Sequence, residues 1–141
     1  MENKYTYFKL YGLVEKLKSS NDPKRKYEYI LWLGKKLKVP TNHILIPENK
    51  VQGCVSEVFV KASLNGGKLF WEGYSHALIT KGLLAFLING LNELTPREVI
   101  NINNEFIEET GLKASLTPSR SNGFLNILLK MQSQANDYLS E

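Results

Sequence analysis

Residues 55–73 read V-S-E-V-F-V-K-A-S-L-N-G-G-K-L-F-W-E-G, and the fold class turns on how this stretch pairs. Over residues 55–64, Val58, Val60, Ala62 and Leu64 alternate with Glu57, Lys61 and Ser63, which is the period of a strand with one face buried. Asn65-Gly66-Gly67 then supplies the positive-φ chemistry of a tight hairpin turn. Lys68 to Gly73 returns as the second strand. The stretch therefore predicts an antiparallel hairpin, with Cys54 just outside its entry.

Working outward, Ala77 to Leu91 is apolar nearly all round, with Leu83, Leu84, Phe86, Leu87 and Ile88, as expected of a central helix covered on several sides. Upstream, Leu10, Leu13, Val14 and Leu17 recur at helical spacing and predict an amphipathic helix over residues 4–19. Asp22-Pro23 combines an N-cap with proline at the first helical position. It opens a second helix whose expected inner face is Tyr27, Ile30, Leu31 and Leu37, with Gly34 admitting a close neighbour. Residues 38–50 carry two prolines and read as a connecting loop, with a short strand near Cys54. Downstream, Thr95-Pro96-Arg97-Glu98 is a capping box for a short helix, and Gly111 closes the next. Thr117-Pro118 or Ser121 starts the last helix, with Phe124, Leu125, Leu128 and Met131 facing inward. Five or six helices around one small antiparallel sheet define an α+β fold. At 141 residues the chain, 1–141, is expected to form a single domain.

Composition narrows the function classes. The longest strongly apolar run, Gly82 to Leu91, is about half of a membrane span. The first residues, Met-Glu-Asn-Lys-Tyr, resemble neither a secretion signal nor a transit peptide. With a single cysteine, an internal disulfide is impossible. These features lead us to expect a cytoplasmic protein with no membrane association. Net charge is +4, with eleven Lys/Arg against five Asp/Glu in residues 1–50 and seven against nine in residues 51–141. Solvated helix faces account for that bias, and no RNA-binding aromatic signature or zinc-finger spacing accompanies it, so no nucleic-acid partner is expected.

One cysteine and two histidines, His43 and His76, provide no spaced cluster for zinc or an iron–sulfur centre. No Gly-rich phosphate loop and no G-x-S-x-G elbow is present. Glu108-Glu109 reads as a solvated helix face. Cys54 is what remains. A free cysteine is commonly buried filler, yet Gly53 confers backbone freedom that a core position does not need. Polar Gln52, Ser56 and Glu57 surround it, and Lys50 and Lys61 are placed to favour thiolate. No general base is evident beside it, which disfavours Cys–His acyl transfer. Thiolate attack on a sulfur–sulfur bond needs no such base, since the donor supplies the leaving group. On residues alone, structural and reactive roles both stay open.

Four pieces in order decide between them: Tyr27-x-Tyr29-Ile30-x-x-Leu33-Gly34, Gln52-Gly53-Cys54-x-Ser56-x-Val58, Lys81-Gly82-Leu83, and Leu116-Thr117-Pro118-Ser119-Arg120-Ser121-Asn122-Gly123. Over roughly Tyr5 to Leu139 the chain closely resembles the SufE family of sulfur acceptors. That resemblance implies an α+β fold similar to the iron–sulfur scaffold proteins, with the active cysteine on a loop at the edge of a short sheet. It implies that Cys54 accepts persulfide sulfur from a SufS-type cysteine desulfurase, stimulates that enzyme, and delivers sulfur to an iron–sulfur scaffold complex. The chain would then be an accessory protein without a cofactor, the pyridoxal phosphate belonging to the desulfurase. The partner-binding residues implied are Gln52, Gly53, Ser56, His76 and Arg120, and the chain is expected as a monomer or weak homodimer.

One departure stands out. Where the family commonly reads G-D-S-D-A, this chain has Gly73-Tyr74-Ser75-His76-Ala77, so two acidic positions are tyrosine and histidine. His76 is thereby placed to ease ionisation of Cys54. An apolar shield of Val51, Val55 and Phe59 over the thiol is also expected. Other functions consistent with the sequence are sulfur relay to another pathway such as tRNA thiolation, a thiol-dependent redox enzyme, which a missing resolving cysteine disfavours, and a basic binding module in which Cys54 is structural.

Overall fold

The computed structural model describes residues 4–41 and 43–139. The hairpin forms as the sequence predicts: β1 (Phe59–Asn65) pairs antiparallel with β2 (Lys68–Tyr74), in a register running from Phe59–Tyr74 to Asn65–Lys68. Gly66 and Gly67 form the two-residue loop with φ of 60° and 78°. Both central residues at positive φ is the geometry that matches the twist of the flanking strands. β1 begins at Phe59, later than the expected residue 55. Val51 N–H donates to the Val58 carbonyl at 2.8 Å, and Lys50 bridges Phe59. The chain between them is thereby closed into a loop, and no strand forms near Cys54. Val58, Val60 and Ala62 are buried as expected, but Leu64, beside the turn, is exposed.

Six α-helices surround the sheet among the described residues: α1 (Phe8–Lys18), α2 (Pro23–Lys35), α3 (Leu78–Leu91), α4 (Pro96–Ile100), α5 (Phe106–Glu109) and α6 (Pro118–Leu139). None is long and apolar enough to cross a membrane. α1 starts at Phe8, not residue 4; the preceding turn buries Tyr7, whose hydroxyl donates to the Glu98 carbonyl at 2.7 Å. In α2, Asp22 caps by accepting from the Lys24 N–H at 3.0 Å. Its innermost residues are Ile30, Leu33 and Gly34, while Tyr27 and Leu31 are half-buried flanks of that stripe and Leu37, also half-buried, lies beyond the helix end.

α3 is the central helix, buried along eleven of its positions. It can sit that deep because α2 crosses it at two glycines. A Cβ on Gly34 would lie 2.9 Å from the Gly82 nitrogen, and one on Gly82 would collide with the Ile30 carbonyl. The capping box of α4 is formed, with Glu98 N–H donating to Thr95 Oγ1 at 3.2 Å and Thr95 N–H donating to Glu98 Oε1 at 2.9 Å. Gly111, at φ 70°, ends the segment carrying α5. Thr117-Pro118, not Ser121, starts α6. Its buried face is Phe124, Ile127, Leu128 and Met131; Leu125 is half-buried, and Ile127 takes the inner position. Phe86, Phe106 and Phe124 meet with ring centroids 5.5–6.5 Å apart, tying α3, α5 and α6 together.

Both sheet edges are covered. Along β1, Gln134 of α6 accepts from Ala62 N–H at 2.8 Å and donates to the Val60 carbonyl at 2.7 Å. Along β2, Leu69 exchanges hydrogen bonds with Leu94 and Glu93 at 2.8 and 2.9 Å. An edge paired in this way no longer presents a row of free backbone groups. It also presses α6 against β1, which brings the start of α6 beneath the Cys54 loop.

Candidate functional site

The loop that carries Cys54 is pinned at its base and at its tip. At the base, Val51 and Val58 are buried on either side of their hydrogen bond. At the tip, Gly53 adopts φ 81°, a conformation that disfavours any side chain. Asn126 of α6 donates its amide to the Gly53 carbonyl at 3.2 Å. The chain then turns so that Cys54 drops toward α6, its Sγ 3.8 Å from the Gly123 carbonyl, which accepts the weak thiol bond. Sγ packs directly over Gly123: a Cβ there would sit in ordinary contact with it, at 3.5 Å.

Cys54 is half-buried, and burial pushes its thiol pKa up. Lys50 and Lys61 do not counteract this. Lys50 pairs with Glu57 at 3.6 Å, and Lys61 is exposed on β1 opposite Glu72. The expected lysine activation is therefore absent; desolvation dominates.

Beside Sγ lies a cavity of about 270 Å³ lined by Cys54, Val55, Ser56, Thr80, Leu83 and the α6 start: Thr117, Ser119, Arg120 and Gly123. Helical spacing puts Arg120 one turn before Gly123 on the same face. Thr117 caps α6, its hydroxyl accepting from Arg120 N–H at 3.4 Å. Arg120 is exposed and has no ion-pair partner among the described residues.

The fold thus gathers Cys54, Ser56 and Arg120 around one cavity, with Gly53 and the exposed Gln52 at the loop tip above it. His76 is exposed in the turn between β2 and α3 and is not among the lining residues. Val51 and Phe59 are buried, but Val55 is 83% exposed and shields nothing. Sequence reasoning missed Thr80 and Asn126 as parts of this site. Asn126 follows Arg120 and Gly123 at three-residue steps, a signal that one helix face was involved; Thr80 left none.

A cysteine loop over the start of the last helix, on an α+β frame, defines a class, and the chain belongs to it: the SufE family. The family model, described as an Fe-S metabolism associated domain, matches residues 12–135. The chain is 51% identical over 123 residues to an uncharacterized SufE-like protein of Synechocystis, covering 87% of this chain and 77% of that one. It is 40% identical over 128 residues to SufE-like protein 1, chloroplastic/mitochondrial, of Arabidopsis thaliana, covering 90% of this chain and 34% of the relative. Identity to the cysteine desulfuration protein SufE of Plasmodium falciparum is 35% over 135 residues, covering 86% of this chain and 54% of the relative. The chain thus spans only about a third to a half of those last two proteins. Among solved structures, a hypothetical protein from Thermus thermophilus matches with a TM-score of 0.82 at 26% identity, covering 94% of this chain and 97% of the other.

Proposed function

We propose that Cys54 is a landing site for sulfur in iron–sulfur metabolism. The observation that carries this reading is the placement of the chain's one thiol. It sits on a glycine-tipped loop at the rim of a cavity that also holds a guanidinium with no ion-pair partner among the described residues. The donor is a cysteine desulfurase carrying a persulfide, in keeping with the name of the Plasmodium relative. The Cys54 thiolate attacks the terminal sulfur of that persulfide. A new sulfur–sulfur bond forms on Cys54, the donor's own sulfur–sulfur bond breaks, and its electron pair leaves as the donor's thiolate. No net oxidation occurs. Taking the sulfur away clears the desulfurase for another turnover, so the chain acts as a stimulating accessory protein. The pyridoxal phosphate stays on the desulfurase, and the sulfur is passed on to an iron–sulfur scaffold.

Arg120 and Val55 suit the docking step. Val55 is an exposed apolar side chain at the cavity rim, and an exposed arginine nearby is the residue type enriched at contact hot spots. The test is intact mass after incubation with a cysteine desulfurase and cysteine. Wild type should gain one sulfur atom and Cys54→Ser none. Equal gain on both proteins, or none on either across several desulfurases, would remove the proposal.

A further inference from the structure

The cavity at Cys54 holds more anion-binding chemistry than transfer between two protein thiols requires. Thr80, in the first turn of α3, is only 7% exposed, lines this cavity, and makes no hydrogen bond through its hydroxyl to any described residue. Its oxygen stays accessible and is therefore free to bond a ligand atom. Ser56, Thr117 and Ser119 add three more hydroxyls, the last two with oxygens 3.4 Å apart. Arg120 adds a planar, permanently charged fork that no carboxylate among the described residues pairs with. No acidic side chain lines the cavity among the described residues. Hydroxyl donors around one uncompensated guanidinium form a site for a small oxyanion. The nucleophilic sulfur of Cys54 opens onto the same space.

We propose that this cavity is a subsite for small sulfane-bearing oxyanions, thiosulfate being the simplest, in which Arg120 and Thr80 hold the sulfonate end while Cys54 takes the outer sulfur. The proposal rests on Cys54 being a persulfide carrier and adds a donor that is not a protein. The Cys54 thiol first loses its proton to solvent. Its thiolate then attacks the outer sulfur of thiosulfate, and a sulfur–sulfur bond forms on Cys54. The bond to the sulfonate sulfur breaks, and its electron pair leaves on sulfite. Charge balances: thiolate and a dianion become a persulfide anion and a dianion. Two negative reactants repel one another, and the Arg120 guanidinium offsets that repulsion. Run backward, the same step lets sulfite discharge a loaded Cys54 and release thiosulfate.

The experiment titrates thiosulfate against the 141-residue chain and follows the one-sulfur gain on Cys54 by intact mass, with released sulfite as a second readout. Because no protein donor is present, loss of docking cannot account for any effect of Arg120. Wild type should load saturably. Thr80→Val, close in volume, should raise the half-saturating concentration by about tenfold, with Thr80→Ser restoring it. Arg120→Gln should raise it further, and Arg120→Lys should fall between. Loading that is linear in thiosulfate, or alike in all variants, would overturn the subsite. A wild type charged by a desulfurase but not by thiosulfate would overturn it while leaving the protein-donor function standing. Charging by neither would remove both.

Discussion

Asn126→Ala isolates what holds the cysteine loop closed. The Asn126 amide donates one bond, 3.2 Å long, to the Gly53 carbonyl, and it packs so closely that a Cβ on Gly53 would lie 2.5 Å from its nitrogen. A neutral hydrogen bond of this kind contributes about 0.5–1.5 kcal/mol net. If Cys54 is alkylated only when the loop lifts from α6, removing the bond raises the open population, and the rate, by about twofold to tenfold. The same substitution acts oppositely on the whole protein. Asn126 lies inside α6, where alanine is the better helix former by about half a kcal/mol. Global stability should therefore hold or rise slightly while the loop loosens. The assay pairs iodoacetamide alkylation of Cys54, corrected for thiolate fraction by a pH titration, with urea unfolding. A corrected rate within error of wild type would refute the idea that this bond restrains the loop. A faster rate accompanied by an equal loss of global stability would refute the local origin of the effect.

Three further outcomes are expected. Gly82→Ala should destabilise by about 3 kcal/mol or more in urea, because the new methyl meets the Ile30 backbone carbonyl rather than a side chain that can swing away. Gln134→Glu keeps an acceptor for Ala62 N–H but turns a second oxygen toward the Val60 carbonyl. It should cost about 1–3 kcal/mol at neutral pH, with partial recovery once the carboxyl is protonated and can donate. For Cys54, burial raises the folded-state pKa, so the alkylation midpoint should lie above the ordinary thiol value of about 8.5, and unfolding in denaturant should bring it down. By linkage, the stabilising share of that shift is present below the unfolded thiol's pKa and is lost as pH rises through the folded one. A midpoint at or below the ordinary value would contradict burial as the dominant influence.

Local chemistry explains which parts of the fold were legible. Gly66-Gly67, Asp22-Pro23 and the Thr95–Glu98 box each specify a turn or cap within four residues, and each formed as read. Errors fell where a residue's surroundings come from far along the chain. The strand was expected from residue 55, yet the Val51–Val58 bond closes residues 52–57 into a loop before any partner strand can pair with them. Leu33 and Ile127 look no more apolar than Leu31 and Leu125. What separates them is the exact phase of helices packed against α3, which the Gly34–Gly82 crossing and the phenylalanine cluster set. Gly34 announced a close neighbour, but only the fold shows that the neighbour is a second glycine.

For the site, Cys54 was legible as the one thiol at a bend, and the Ser56 and Arg120 expectations came from family resemblance. The electrostatic expectation failed for a physical reason: sequence proximity places Lys50 near Cys54, but Glu57 claims its charge. His76 is likewise near in family position yet exposed and outside the cavity lining. The thiol is left against the Gly123 carbonyl with its pKa raised, and a protonated thiol is a poor nucleophile at rest. Under the proposed function, that resting state protects the thiol from stray electrophiles, but the thiol must ionise when a donor arrives. Lifting Cys54 from Gly123 would remove the carbonyl that holds the proton and expose the sulfur to solvent, relieving the desolvation that raises its pKa. Asn126→Ala should then act on ionisation as well as on access, drawing the Cys54 midpoint down toward the ordinary thiol value. If alkylation accelerates with the midpoint unmoved, the loop controls access alone.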